Sequence, residues 1–154
     1  MLYKFTMMTQ EQAEDIAFNW HYDGDYSFYD MKADKEDLDE FLDSEQRGDS
    51  TFAVTKENEL VAFISINEVA DRMFEIGLGM RPNLTGKGSG LEFVKEALNF
   101  VELKHKPKKI ILSVATFNQR AIKVYRKVGF TDAETFMQNT NGSTLEFLKM
   151  VYEC

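Results

Sequence analysis

The chain has 154 residues, 44% hydrophobic and 29% charged, which suits one domain with a core of its own spanning residues 1–154. Its 26 acidic against 18 basic side chains leave a net charge of −8, which opposes nonspecific nucleic-acid binding and attracts cationic partners such as amines, besides keeping the chain soluble. No apolar run approaches the roughly 18 residues of a membrane span, the start lacks a basic stretch followed by an apolar one, and the lone cysteine, Cys154, supplies neither a disulfide framework nor a thiolate metal cluster. These features predict a cytoplasmic protein.

"LYKFTMM" reads as a strand, and Thr9 with Gln12 forms a capping box for a helix through about Trp20. The aromatic segment "WHYDGDYSFYDM" follows, then "ADKEDLDEFL" as a short acidic helix. "TFAVTKENELVAFISINEV" holds two apolar runs joined around Glu57-Asn58-Glu59, a β-hairpin. "RMFEIGLGM" is the next strand. Beyond Pro82, one stripe of Leu91, Val94, Leu98 and Val101 and another of Phe93, Ala97 and Phe100 predict a helix covered on two sides. "KHKPKK" ends it, with cations at the helix C-terminus and Pro107 as a stop.

"KIILSVAT" is a continuous apolar strand of the kind buried on both faces. Asn118 opens a further helix with Ala121, Val124, Tyr125 and Val128 inward, stopped by Gly129. "AETFMQNTNGSTLEFLKMVYE" gives two strands around an Asn-Gly turn. The order β-α-α-β-β-β-α-β-α-β-β predicts an α/β fold of the mixed-sheet kind, with about seven strands and about four helices on both faces.

Three of the nine glycines, Gly86, Gly88 and Gly90, alternate at the start of the helix after Pro82. Glycine there is about 1 kcal/mol worse than alanine for the helix, so backbone must come close to something. A phosphate loop of the Walker type needs Lys-Ser/Thr after the last glycine, and Leu91-Glu92 stand there. A dinucleotide fingerprint needs G-x-G-x-x-G and an acid ending the next strand, and both are missing. Two readings stay open on these residues alone: a backbone cradle for a pyrophosphate at a helix N-terminus, and a tight strand-to-helix turn without a ligand.

"RPNLTGKGSG" together with "NQRAIKVYRKVGF" resembles the GNAT superfamily of acyl-CoA-dependent N-acetyltransferases. That family's pattern is P-x-x-R/Q-G-x-G-x-G/A, then N-x-x-A-x-x-x-Y-x-x-x-G-F. Here it falls on Pro82, Gly86, Gly88 and Gly90, then on Asn118, Ala121, Tyr125, Gly129 and Phe130. Thr85 departs from it, standing where many members carry Arg or Gln. "FEIGLGMRP" is similar to the branch acting on protein N-termini and small amines. The resemblance runs over essentially the whole chain.

It implies a single GNAT-like domain whose sheet splays between "RMFEIGLGM" and "KIILSVAT", with the pantetheine arm of acetyl-CoA between them. Leu78, Gly79 and Met80 would pair with its amides like a substitute strand, Gly79 allowing an irregular or bulged strand, and a backbone N–H there would face the thioester oxygen. Thr85, Gly86, Lys87, Gly88, Ser89 and Gly90 would hold the pyrophosphate. Asn118 would serve as helix N-cap and as a partner of the cofactor arm. Some of Lys87, Arg120, Lys123, Arg126 and Lys127 would reach the phosphates, the rest being solvated.

Tyr125 is the candidate general acid, also contacting the cofactor: a free thiol has a pKa of about 8.5 and tyrosine about 10, so a phenol in reach protonates the departing thiolate. The acceptor must be neutral to attack. At pH 7 a lysine amine of pKa about 10.4 is neutral about once in 2,500 molecules, and an α-amine near 7.8 about once in 7. Glu75, on the cofactor strand, is the candidate base.

Trp20, His21, Tyr22, Tyr26, Phe28 and Tyr29, beside Asp23, Asp25 and Asp30, would either pack the loop onto the sheet or wall an acceptor groove. Trp20, Tyr26 and Tyr29 are the candidate substrate contacts. His21 and His105 are not at ligand spacing, and no metal is expected.

The expected reaction is direct attack of a primary amine (protein N-terminus, lysine or small molecule) on acetyl-CoA in a ternary complex, with no covalent carrier. A homodimer through the final strands is compatible with such a fold. The alternatives are a non-catalytic acyl-CoA-binding or sensor domain, and a partner-binding domain without coenzyme.

Overall fold

Alternating side chains and turn-forming residues divide the chain into strands and helices whose apolar faces must be covered. The computed structural model describes residues 3–22, 24–29, 35–84, 89–140 and 143–154. The order is β1 (Tyr3–Met7), α1 (Gln10–Asn19), a 3-10 turn (Gly24–Tyr29), α2 (Lys35–Leu42), α3 (Ser44–Arg47), β2 (Thr51–Lys56), β3 (Glu59–Ala70) and β4 (Met73–Met80). A second 3-10 turn (Pro82–Leu84) leads to α4 (Ser89–His105), β5 (Lys109–Ala115), α5 (Gln119–Val128), β6 (Thr131–Thr140) and β7 (Ser143–Glu153).

One mixed sheet has the order β1-β2-β3-β4-β5-β7-β6. Its pairs are antiparallel except β4 with β5, which α4 joins by a crossover, as a parallel pair requires. The β2–β3 hairpin turns at Glu57 and Asn58, both at positive φ (54° and 66°), the geometry whose twist matches that of the flanking strands. The Asn141-Gly142 turn lies outside the described residues.

The Thr9–Gln12 capping box is present in both directions, at 3.1 and 3.0 Å. A single-turn helix, α3, was not anticipated. Asp43 caps it, and it buries Arg47, whose guanidinium donates to Phe41 O (2.6 Å) and to Gln10 Oε1 (2.9 Å). A buried cation is costly unless its donors are engaged, and these bonds tie the α2–α3 corner back to α1.

The main core lies between one sheet face and α4 and α5. Phe52, Ile64, Phe74, Ile76, Ile110 and Val114 meet Phe93, Val94, Ala97, Leu98 and Val101 there, each large side chain contributing about 1.5–3 kcal/mol by burial. Apart from Leu91, both predicted stripes of α4 pack into this core, and Phe100 stacks on Phe5 at 4.5 Å. On α5 the four predicted inward residues are half-buried, and Ile122, omitted from that set, is the buried one. A second core on the opposite face, from Met8, Ala13, Ile16, Trp20 and Ala53 with Phe41, Leu60 and Phe63, seats α1 and α2. Among the described residues no helix is long and apolar enough to cross a membrane.

Candidate active site

The parallel pairing of β4 with β5 covers Met73↔Lys109, Phe74↔Ile110 and Glu75↔Ile111. Beyond these rungs β4 continues to Met80 and β5 to Ala115, each paired within the sheet to its outer neighbour alone, β3 or β7. The sheet is therefore split at its centre into a wedge.

Hydrogen-bond phase determines what lines that wedge. In an antiparallel ladder alternate residues turn both backbone groups to the partner strand. The Arg81 N–H to Val61 O bond (2.9 Å) sets the phase of β4: Gly79, Gly77 and Glu75 face β3, while Met80, Leu78 and Ile76 face the wedge. On β5 the Thr116 N–H to Glu146 O bond (3.0 Å) leaves Ala115 and Ser113 facing the wedge. Of the three expected strand-pairing residues, Leu78 and Met80 thus present backbone to the gap and Gly79 does not.

Gly79 is also not at a bulge. Register is unbroken from Ala62↔Met80 to Glu68↔Phe74, and the irregularity lies between Glu68 and Ala70. The physical reason for glycine is the Phe63 ring, which occupies the space that a Cβ on Gly79 would need. Gly77 is constrained in the same way by Ser65 Oγ, 2.7 Å from its would-be Cβ.

Glu75 stands exposed at the last parallel rung, opposite Asn67 on β3. Period-two alternation puts it on the sheet face away from Phe74 and Ile76, in line with Gly77 and Gly79. Of the glycine-rich segment, Thr85, Gly86, Lys87 and Gly88 lie outside the described residues. Ser89 and Gly90 open α4. A Cβ on Gly90 would meet Val124 Cγ2 at 3.9 Å, an ordinary contact, so the protein's own packing does not demand glycine there.

Across the wedge, Asn118 caps α5, its Oδ1 accepting from the Ala121 N–H (3.2 Å), while its Nδ2 donates to Tyr29 Oη (3.2 Å). Gly129 ends the helix at φ 120°, with Tyr152 Cε2 3.0 Å from any added Cβ. Tyr125 packs edge-on to Phe130 at 5.8 Å. Burial, and secondarily the nearby Tyr29 phenol, hold its hydroxyl well above the usual tyrosine range. Burial also raises Tyr29, against the lowering effect of hydrogen bonds from Asn118 and the Ala115 backbone.

The aromatic segment divides. Trp20, expected in the acceptor wall, is instead 4% exposed in the second core, beside Phe63 (6.1 Å between ring centroids). Tyr26 packs on Phe117 (5.7 Å), and the protein's own Arg120 guanidinium lies 4.5 Å from its ring centroid. Tyr29 also meets Phe117, at 6.0 Å. Asp23 and Asp30 lie outside the described residues. Of the cations near the motifs, Arg126 forms a two-pronged pair with Asp132 (3.1 and 2.6 Å), while Lys123 and Lys127 are exposed. Sequence reasoning did not single out Tyr22, whose hydroxyl donates to Met80 O at 2.6 Å. No local signal marks it, because its partner lies 58 residues on.

A seven-stranded mixed sheet split between its parallel strands, with α4 starting beside one arm and a capped helix beside the other, defines an acyltransferase architecture. Residues 4–131 match the family model described as "Acetyltransferase (GNAT) domain", and the chain belongs to that family. No curated protein matches the chain in sequence. Among solved structures, a GNAT-family acetyltransferase from Bacillus anthracis is similar with a TM-score of 0.77 and 20% identity, over 99% of this chain and 95% of that one. A spermidine N-acetyltransferase from Vibrio cholerae, solved with CoA and spermine, is similar with a TM-score of 0.74 and 16% identity, over 98% and 95%.

Proposed function

We propose that this acetyltransferase moves the acetyl group of acetyl-CoA to a primary amine by direct attack in a ternary complex. The observation that carries the reading is the wedge: pairing stops at Glu75↔Ile111 while both strands run on, with the backbone of Leu78 and Met80 turned into the gap. A chain of amides is the kind of ligand such a strand edge accepts. Gly90, which packing leaves free to be larger, fits close approach of a phosphate to the start of α4. Ser89 and Gly90 with Thr85, Gly86, Lys87 and Gly88 would hold the pyrophosphate, and Asn118 would flank the arm.

When bound, acetyl-CoA supplies an activated acetyl group on a sulfur that leaves as a thiolate. Tyr125 Oη keeps its proton at neutral pH, because burial disfavours the phenolate, and donates it to the departing sulfur. Glu75 takes the proton of the acceptor amine, directly or through water. Tyr29 lines the wedge between Asn118 and Ala115, and Tyr26, with Arg120 against its ring, borders the acceptor side. The amine class (protein N-terminus, lysine or small molecule) draws support from the net charge of −8 and from the spermine complex of the Vibrio relative. A cytoplasmic enzyme, with dimerisation through the edge strand β6 as an option, completes the reading.

The test is an amine panel assayed by release of coenzyme thiol, run on the native chain and on Tyr125→Phe. The expected result is turnover with at least one amine, coenzyme affinity in the variant within about twofold, and kcat lower by roughly 10²-fold or more. Coenzyme binding without turnover on any amine would favour a binding or sensor domain.

A further inference from the structure

Tyr22 and Tyr29, which follow α1, reach the two walls of the wedge. Tyr22 donates to Met80 O, a carbonyl that ladder phase turns toward β5. Tyr29 Oη accepts from Asn118 Nδ2 and from the backbone of Ala115. The backbone group of Ala115 able to donate to a hydroxyl oxygen is its N–H, which β5 phase turns toward β4. The two rings meet edge to face, 6.4 Å apart and 74° between planes. Had the register Glu75↔Ile111 continued, Met80 would lie level with Thr116 and Ala115 with Gly79. The phenols therefore hold an acceptor and a donor from the very rungs the sheet lacks. Phe117 packs on Tyr29 and Tyr26, which anchors this arrangement at the start of α5.

We infer that Tyr22 and Tyr29 are positioning residues, a two-ring strut that acts through Met80 and Ala115 to set the spread of the strands at the mouth of the wedge. Resting on the coenzyme reading above, the strut preorganises the gap-facing backbone of Leu78 and Ser113 for the amides of acyl-CoA. It also narrows which groups serve that ligand: Gly79 is committed to β3 and the Met80 carbonyl to Tyr22, so Leu78 carries the strand pairing. Without the strut, part of the binding free energy goes into ordering the two strands, which weakens affinity more than it slows the bound complex.

The experiment uses the full chain with Tyr22→Phe and Tyr29→Phe, which keep both rings and remove only the hydroxyls. Thermal unfolding confirms that each variant is folded. Calorimetry with CoA should show affinity weakened about threefold to tenfold in each variant. The double variant should lose no more than about the larger single loss, since one strut is broken either way. In turnover by Tyr22→Phe, KM for acetyl-CoA should rise while kcat stays within about twofold, a split that a general loss of structure would not give. Independently of ligand, Tyr29→Phe should speed amide exchange of Ala115 by about tenfold or more.

Unchanged CoA affinity overturns the proposal. So does tighter binding in Tyr22→Phe, which would mean that Tyr22 competes with the coenzyme for the Met80 carbonyl. Unchanged Ala115 exchange overturns it as well. Should the native chain bind no CoA, the coenzyme reading itself fails and the preorganising role with it, a result set apart because Ala115 exchange reports the strut without ligand.

Discussion

Phe63 on β3 fills the space that any side chain on Gly79 of the neighbouring strand would need. The same ring contacts the second core through Trp20 and Phe41, at 6.1 and 5.5 Å between centroids. The strand that lines the wedge is thus loaded from behind by the packing of α1 and α2. Gly79→Ala must push Phe63 into that core, and overpacking of this kind costs about 1–3 kcal/mol. Denaturant unfolding should register the loss, and a variant as stable as the parent would remove Phe63 as the reason for the glycine.

Gly90 should behave in the opposite way. Its added methyl group meets only Val124 at ordinary distance, and alanine favours the helix by up to about 1 kcal/mol. Gly90→Ala is therefore expected to unfold at the same or a slightly higher denaturant concentration while binding CoA less tightly. Loss of stability with unaltered affinity would reverse the assignment of this glycine to the ligand.

Glu75 is exposed, so Glu75→Gln should change stability by no more than about 0.5 kcal/mol. As a base it matters most where the acceptor is protonated in solution. The drop in kcat/KM, about 10²-fold for general-base removal, should be larger for a lysine-like amine than for an α-amine, and should shrink as pH rises. A pH–rate profile that overlays the parent's for both acceptors would rule Glu75 out.

The tyrosines also set an alkaline limit on stability. Tyr125 and Tyr29 are raised chiefly by burial, and Tyr3 is pushed up to about 12 by burial and by the Glu92 carboxylate beside it. Unfolded tyrosines ionise near about pH 10, so above that pH the unfolded chain binds fewer protons than the native one, and stability falls as pH rises. The contribution is intact below about pH 10 and is lost upward toward the folded-state values. Urea midpoints between pH 9 and 11 should decline, less steeply in Tyr125→Phe, and equal slopes would contradict the burial of this phenol.

The sheet, its element order, the Thr9 cap and the stripes of α4 were legible because each follows from period, caps and turns within a few residues. The family pattern likewise pointed to Leu78 and Met80, whose backbone the ladder phase turns into the gap, and to Asn118, which caps α5. What escaped depends on contacts between distant segments. Trp20 reads locally as one more ring of an aromatic run, yet Ile16, Met8 and Ala53 around it make it core. Gly79 reads as a bulge because its true neighbour, Phe63, is on another strand. Tyr22 and Arg120 gain their roles only once β4, β5 and α5 are brought together, and α3 is a single turn with too little periodicity to announce itself.

The short seam at Met73–Glu75 has a mechanical consequence. Strands β1 to β4 and strands β5, β7 and β6 form two leaves that share three rungs and a common hydrophobic spine behind them. The softest motion expected of such a molecule is a change in the angle between the leaves, like a book flexing at its binding. A ligand lying along the crease then acts as a fastener as well as a reactant.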